Sequence, residues 1–304
     1  MRRAFAAAIA LVTAGCVAAG DGAGQAGDVA VVQAVPVRAP APAVPPVTAG
    51  PTTFLFSGEL TQGGWIRGQA PAGTVAARLG AEALALDREG RFFAAFDRDA
   101  GPAVTLSATL DDGTSIASPL AIAPRDWAIE RVNVARTGGR PSQAFLRIRR
   151  PELARIAAAR ALDTGSEGWR QDFIWPVTGR ISGRFGSQRI YRGEPGSYHS
   201  GIDIATGESG TAYLAPADGV VVLAAEDEPF SLEGKLLMID HGMGLNSAFL
   251  HSSALLVREG ERVRQGQPIG RIGATGRASG PHLHWSLKWR DARLDPLLFT
   301  GPMD

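Results

Sequence analysis

The chain of 304 residues contains one cysteine and five histidines. A single cysteine excludes an internal disulfide. It is Cys16, inside a leader-like N-terminal segment, and a cysteine protease is therefore excluded too. Charge of either sign is not in excess: 31 Lys and Arg against 30 Asp and Glu leave a net +1, which argues against a dedicated nucleic-acid binder. No His-Glu-x-x-His segment occurs, so the metalloprotease class that carries a glutamate base on a helix is absent. No apolar run is long enough to span a bilayer; the longest, residues 5–14, falls well short of the roughly 20 residues required. Helix signals are nearly absent from the last third. What remains is globular in composition, 45% hydrophobic and 20% charged, and long enough for two folded domains.

The five histidines are not scattered: His199, His241, His251, His282 and His284 all fall within residues 199–284. The segment Gly280-Pro-His-Leu-His-Trp-Ser-Leu287 begins with a Gly-Pro stop and continues as an alternating, aromatic-rich strand. On a strand, residues i and i+2 share a face, so His282 and His284 project into one space. Upstream, His199 and Asp203 in His199-Ser-Gly-Ile-Asp203 add an imidazole and a carboxylate, both good zinc ligands. With one histidine of the pair they make a His₂Asp set. Three protein ligands leave a fourth position for water, as in catalytic rather than structural zinc sites. The other histidine of the pair is then free for proton transfer.

Five segments in this order, His199-Ser-Gly-Ile-Asp203, Ala215-Pro-Ala-Asp-Gly219, Asp240-His-Gly242, Gly266-Gln-Pro-Ile-Gly270 and Gly280-Pro-His-Leu-His284, resemble the lysostaphin/LytM-type zinc metallopeptidases that cut peptidoglycan. The resemblance covers residues 175–296. It implies Zn²⁺ on His199, Asp203 and His284, with His282 and His251 orienting or deprotonating the attacking water and His241 in a structural role. Phe249 stands where a tyrosine is common and Ser252 where a leucine is common; neither matches a ligand. The implied substrate is peptidoglycan. The implied activity is a zinc-dependent metalloendopeptidase hydrolysing its peptide cross-links, D,D-endopeptidase being favoured if the envelope is Gram-negative. Some relatives have lost the ligands and act as non-catalytic activators of cell-wall amidases, which is the rival reading; a binding role for the N-terminal β region is another.

Taken in order, residues 1–20 read as an export signal, with Arg2 and Arg3 ahead of the short apolar run. Cys16 follows small residues at its end and suits lipid attachment, which would anchor the protein to a membrane of the cell envelope, in the periplasm of a Gram-negative bacterium; cleavage after Val17-Ala-Ala19 is the alternative. Residues 21–51, rich in Ala, Gly, Val and Pro, read as a disordered spacer. Residues 52–135 read as short strands between turn signals, a small immunoglobulin-like β-sandwich closed by a strand over 126–135. Residues 136–170 read as a linker containing a helix over 151–162, with Pro151 in its first turn. On that helix Leu153, Ile156 and Ala157 share a face, with Arg155 and Arg160 elsewhere. It is expected to pack between the domains or to lie over the active-site groove. Residues 171–304 are expected to form the LytM-type domain, antiparallel sheets with the metal in a cleft floored by a sheet.

Overall fold

The computed structural model describes residues 50–135 and 142–303. The expected leader with Cys16, the spacer up to residue 49 and residues 136–141 of the linker lie outside the described residues. Among those described, no helix is long and apolar enough to cross a membrane.

The fold is mainly antiparallel β. Gly and Asp-Gly turns cut the first segment into β1 (Leu55–Gly58), β2 (Trp65–Gln69), β3 (Thr74–Leu79), β4 (Glu82–Leu84), β5 (Arg91–Ala95), β6 (Ala103–Leu110) and β7 (Ser115–Ala121). They form two sheets, ordered β1-β2-β5 and β4-β3-β6-β7. Ile66, Phe92, Phe93 and Leu106 are buried, and β5, carrying adjacent Phe92 and Phe93, is covered on both faces. The strand β7 carries Pro119, which would break a ladder inside a sheet; it is tolerated because β7 is an edge strand.

The linker departs from expectation. The strand expected over 126–135 is only β8 (Ile129–Val132), running parallel to Gln188–Tyr191. The helix expected over 151–162 is α1 (Gln143–Arg160), eight residues longer at its start, with Pro151 inside it. Ser142 caps its N-terminus, its hydroxyl accepting from the Phe145 N–H at 3.1 Å. A mid-helix proline removes one hydrogen bond and crowds the carbonyl four residues earlier. Here that carbonyl belongs to exposed Arg147, where water can take the bond. Ion pairing holds the helix instead: Arg149 is bidentate to Glu233, at 2.6 Å for each bond.

The last part contributes β9 (Arg180–Gly183), β10 (Gln188–Tyr191), β11 (Glu194–Pro195), β12 (Ile202–Ala205), β13 (Ala212–Leu214), β14 (Gly219–Ala224) and β15 (Lys235–Gly242). Then follow β16 (Leu245–Ser252), β17 (Ala254–Leu255), β18 (Arg262–Val263), β19 (Pro268–Arg271), β20 (Leu283–Trp289), β21 (Ala292–Leu294) and the single turn α2 (Leu297–Thr300). The main sheet runs β18-β14-β15-β16-β20-β12-β9, with β21 on β20. The stretch over residues 188–197 contains β10 and β11; their pairing is with β8 and with each other, through backbone groups that leave no hydrophobic pattern.

One face of the main sheet, with Trp285, Leu287, Phe249, Leu237 and Ile239, joins the core of the N-terminal sheets in one hydrophobic cluster. Aromatic rings make the join: Trp65 lies 5.2 Å from Phe299, and Phe93 lies 6.4 Å from both Trp289 and Phe299. The indole N–H of Trp65 donates to the Leu298 carbonyl at 2.9 Å, and Arg125 pairs with buried Asp295 at 2.8 Å. Contacts group residues 48–304 as one unit.

Candidate metal centre and cleft

The opposite face of the main sheet carries the chemistry. In the antiparallel pairing of β12 with β20, Asp203 stands directly across from His284, so both side chains leave on the same face. His199 precedes β12 in a loop tied at both backbone groups: its N–H donates to Ser187 O and its carbonyl accepts from Gly186 N, each at 2.9 Å. Two glycines allow the close approach. A Cβ on Gly201 would sit 2.5 Å from the Trp285 carbonyl oxygen and 2.7 Å from His284 Nε2, and one on Gly183 would sit 2.4 Å from Asp203 Oδ2.

Three donor atoms converge. His199 Nε2 is 3.1 Å from both Asp203 Oδ1 and His284 Nδ1, and His284 Nδ1 is 2.8 Å from Asp203 Oδ1. A tetrahedral zinc with bonds of about 2.0–2.1 Å has ligand–ligand edges of roughly 3.3 Å. The triangle is therefore close to one face of such a tetrahedron. The tautomer agrees: His199 Nδ1 lies 3.1 Å from the Arg184 carbonyl, which needs an N–H there, so Nε2 turns a lone pair toward the carboxylate. Lone pairs facing a carboxylate need a proton or a cation between them. Accordingly, burial works against protonating His199, but the hydrogen bond and charge of Asp203 outweigh it and raise its pKa. Burial also opposes charge on Asp203, yet bonds from His199 and His284 hold its carboxyl well below the usual range. Burial pushes His284 down. A metal ion would replace the shared proton. Among the described residues, His199, Asp203 and His284 are the only group of at least three His, Cys, Asp or Glu with donor atoms close enough to hold an ion.

His282 and His251 stand beside this triangle. His282 Nε2 is 3.7 Å from Asp203 Oδ1, and its Nδ1 donates to the Gly280 carbonyl at 2.8 Å. His251 Nδ1 donates to the Thr275 carbonyl at 2.9 Å, and burial lowers its pKa. Both therefore present a bare Nε2. Alternation alone would turn His251 away from the cleft, because its neighbour Leu250 is the strand partner of His284. The backbone of His251 adopts a left-handed φ of 66° where β16 carries one residue more than β15 across the register shift, and this brings the ring to 5.0 Å from His282 and 6.3 Å from His284. Such strain in a non-glycine residue is characteristic of working sites.

His241 is elsewhere. It is fully buried, Nδ1 donating to the Asp218 carbonyl and Nε2 accepting from Ser247 Oγ, both at 2.7 Å. Burial pushes its pKa down to about 4.

Two cavities meet the triangle at different corners. One of about 1200 Å³ touches His199 and Asp203 and is walled by Ile129, Glu130, Gln188 and Tyr191. The other, about 380 Å³, touches His284 and is walled by α1. The wall from β8 and β10 was not foreseen, whereas a helix over the groove was one of the two placements expected for the linker helix. Both walls come from segments that precede the histidine-bearing region or pair through backbone atoms alone.

Residues 197–296 match the family model described as Peptidase family M23. A stretch of 128 residues is 37% identical to the peptidoglycan DD-endopeptidase ShyA of Vibrio cholerae, covering 41% of this chain and 28% of that protein. A stretch of 131 residues is 36% identical to the murein hydrolase activator NlpD of Escherichia coli, covering 43% of this chain and 31% of that one. The chain thus spans less than a third of the length of these two curated relatives, and their names divide between a peptidase and an activator. A crystal structure from Pseudomonas aeruginosa assigned to peptidase M23 is similar over 81% of this chain and 96% of that one, with a TM-score of 0.60 and 25% identity.

Proposed function

With residues 197–296 forming a Peptidase family M23 domain, we propose that the chain is a zinc-dependent endopeptidase cutting peptide cross-links of peptidoglycan, as a D,D-endopeptidase. The observation that carries this reading is the near-tetrahedral face made by His199 Nε2, Asp203 Oδ1 and His284 Nδ1. Zinc held by these three residues would supply a water of lowered pKa and a Lewis acid for the scissile carbonyl.

The remaining work falls to His282 and His251. Each has its Nδ1 proton committed to a backbone carbonyl, Gly280 and Thr275 respectively. Each can therefore take a proton at Nε2 from the attacking water and return it to the leaving amine. The lowered pKa of His251 keeps it unprotonated and ready to accept at neutral pH. The loop over residues 274–280 supplies both anchoring carbonyls and so sets both rings. Export through residues 1–20, with lipid on Cys16, would place this cleft at the cell envelope, beside its substrate.

The activator reading is favoured by the relatives of that name, but a protein that only docks to an amidase has no need of three converged donors and two further imidazoles with bare nitrogens. Digestion of purified sacculi, followed by mass spectrometry of the muropeptides, decides between them. Conversion of cross-linked dimers to monomers, lost in His284→Ala, is the expected result. Intact cross-links after incubation with the zinc-loaded protein would overturn the peptidase reading.

A further inference from the structure

The helix α1 lies on the cleft face of the main sheet. Ile156 and Ala159 pack on Leu223, Leu236, Met238, Ala248 and Leu250. Of these, Leu250 is the strand partner of His284 and Ala248 that of Ser286. Arg160 is one turn beyond Ile156 and Ala157, so it shares their face rather than standing elsewhere, as the sequence had suggested. It enters the smaller cavity, together with Lys288, Arg293, Ser200, Ser286 and His284.

The charges there are not matched. Arg160 Nε is buried and has no hydrogen-bond partner among the described residues. The nearby carboxylates are committed: Glu233 and Glu152 to Arg149, and Asp291, fully exposed, to Lys288. Arg293 donates to the Tyr198 hydroxyl at 3.2 Å. Burial lowers both Arg160 and Lys288 and repulsion from Arg293 lowers each further, while Glu233 and Asp291 offset this for Arg160, and Asp291 for Lys288, only in part. The helix cannot drift to relieve this. Glu152 accepts from the Ser231 N–H and hydroxyl at 2.6 and 2.7 Å. Just past its C-terminus, the Thr164 N–H and hydroxyl donate to Asp240 at 3.1 and 2.6 Å.

We propose that Arg160, Lys288 and Arg293 form a carboxylate-binding subsite at the His284 end of the cleft, which receives a free carboxylate of a peptidoglycan stem peptide. Three fixed cations around one small cavity suit an anion that arrives with the ligand, because it supplies the missing partner and relieves their repulsion. Arg160 lies outside residues 197–296, so the subsite is composite: the linker helix gives one cation and the peptidase domain gives two. It selects stems by charge at a point away from the bond to be cut. The proposal rests on the reading that this cleft takes such peptides.

The test uses the zinc-loaded full chain and a fluorescently labelled, uncross-linked stem tetrapeptide, which has no cross-link to cut. The peptide is made with free and with amidated carboxylates, and binding is read by anisotropy. The wild type is expected to prefer the free form about tenfold or more, the scale of a charged hydrogen bond. Arg160→Met and Lys288→Met, on different elements, should each erase most of that preference while binding the amidated form as the wild type does. Arg262→Met, on β18 at the far edge of the sheet, should leave it unchanged. Equal binding of the two peptides by the wild type, an undiminished preference in both variants, or an equal loss in Arg262→Met would each overturn the subsite. A preserved, Arg160-dependent preference in a protein that leaves sacculi uncut would uphold the subsite and remove the peptidase reading. Cleaved sacculi without the preference would do the reverse.

Discussion

Replacing His241 by glutamine should remove most of the acid sensitivity that this residue gives the fold. His241 is buried without exposure and its pKa is pushed down to about 4, against 6.5 for an ordinary histidine, by the cost of placing a charge there. The folded protein therefore keeps it neutral down to about pH 4, whereas the unfolded chain protonates it below 6.5. Between those values the unfolded state binds more protons, so stability rises with pH. The contribution is complete above pH 6.5 and is lost as pH falls toward 4. At roughly 1.4 kcal/mol per pH unit, the loss reaches about 2.5 kcal/mol by pH 4.5. Glutamine can still accept from Ser247 but leaves the Asp218 carbonyl without its donor, which costs about 1–3 kcal/mol at pH 7. Denaturant unfolding of both proteins at pH 7 and pH 4.5, in chelator so that zinc-linked protons do not contribute, gives the difference. The variant should be the less stable at pH 7, and the gap should shrink by about 2.5 kcal/mol or invert at pH 4.5. Parallel losses in the two proteins would refute the argument, as would an imidazole resonance of His241 titrating near its ordinary value.

His282→Ala should keep zinc near the wild-type level while muropeptide hydrolysis falls by about 10²–10⁴-fold; zinc loss in this variant with zinc retained in His284→Ala would mean that the two roles are exchanged. His199→Ala and Asp203→Ala should each abolish stoichiometric zinc measured by mass spectrometry of the metal, and full occupancy in either would sink the ligand set. Gly201→Ala places a methyl 2.5 Å from Trp285 O and 2.7 Å from His284 Nε2; metal sites tolerate only about ±0.2 Å in ligand distance, so chelator competition should show zinc affinity down by about tenfold or more, and wild-type affinity would show that the strands can part freely. Cys16 should carry lipid, and recovery of a soluble protein beginning after Ala19 would contradict that.

Legibility in the sequence followed the range of the interaction. His282 and His284 could be placed on one face because strand alternation is local. That Asp203 lies opposite His284 depends on the register between β12 and β20, set by residues some eighty positions apart; only the resemblance anticipated it. His251 is a harder case, because its left-handed φ reverses the face that alternation assigns. Pro151 misled for a physical reason: proline prefers a first turn, but here the cost of an interior position falls on a solvent-facing carbonyl while Arg149, two residues earlier, is locked to Glu233. Arg160 was misplaced because basic residues are assumed to leave an apolar face, whereas helical spacing puts it on that face. The wall contributed by β8 needed the tertiary fold.

The aromatic join described above bears on how this protein can be inherited and cut. The M23 match begins at residue 197, which suggests a module that could be spliced onto other partners. In this chain the splice would be costly. A fragment beginning near residue 171 would show Trp289 and Phe299 to water where Trp65 and Phe93 now cover them. It would also strip the Arg125 guanidinium from Asp295, a carboxylate only 1% exposed. The N-terminal sheets are therefore less a passenger than the other half of a seam. A change on either side of that seam has to be answered on the other, so the two sets of sheets are constrained to drift together.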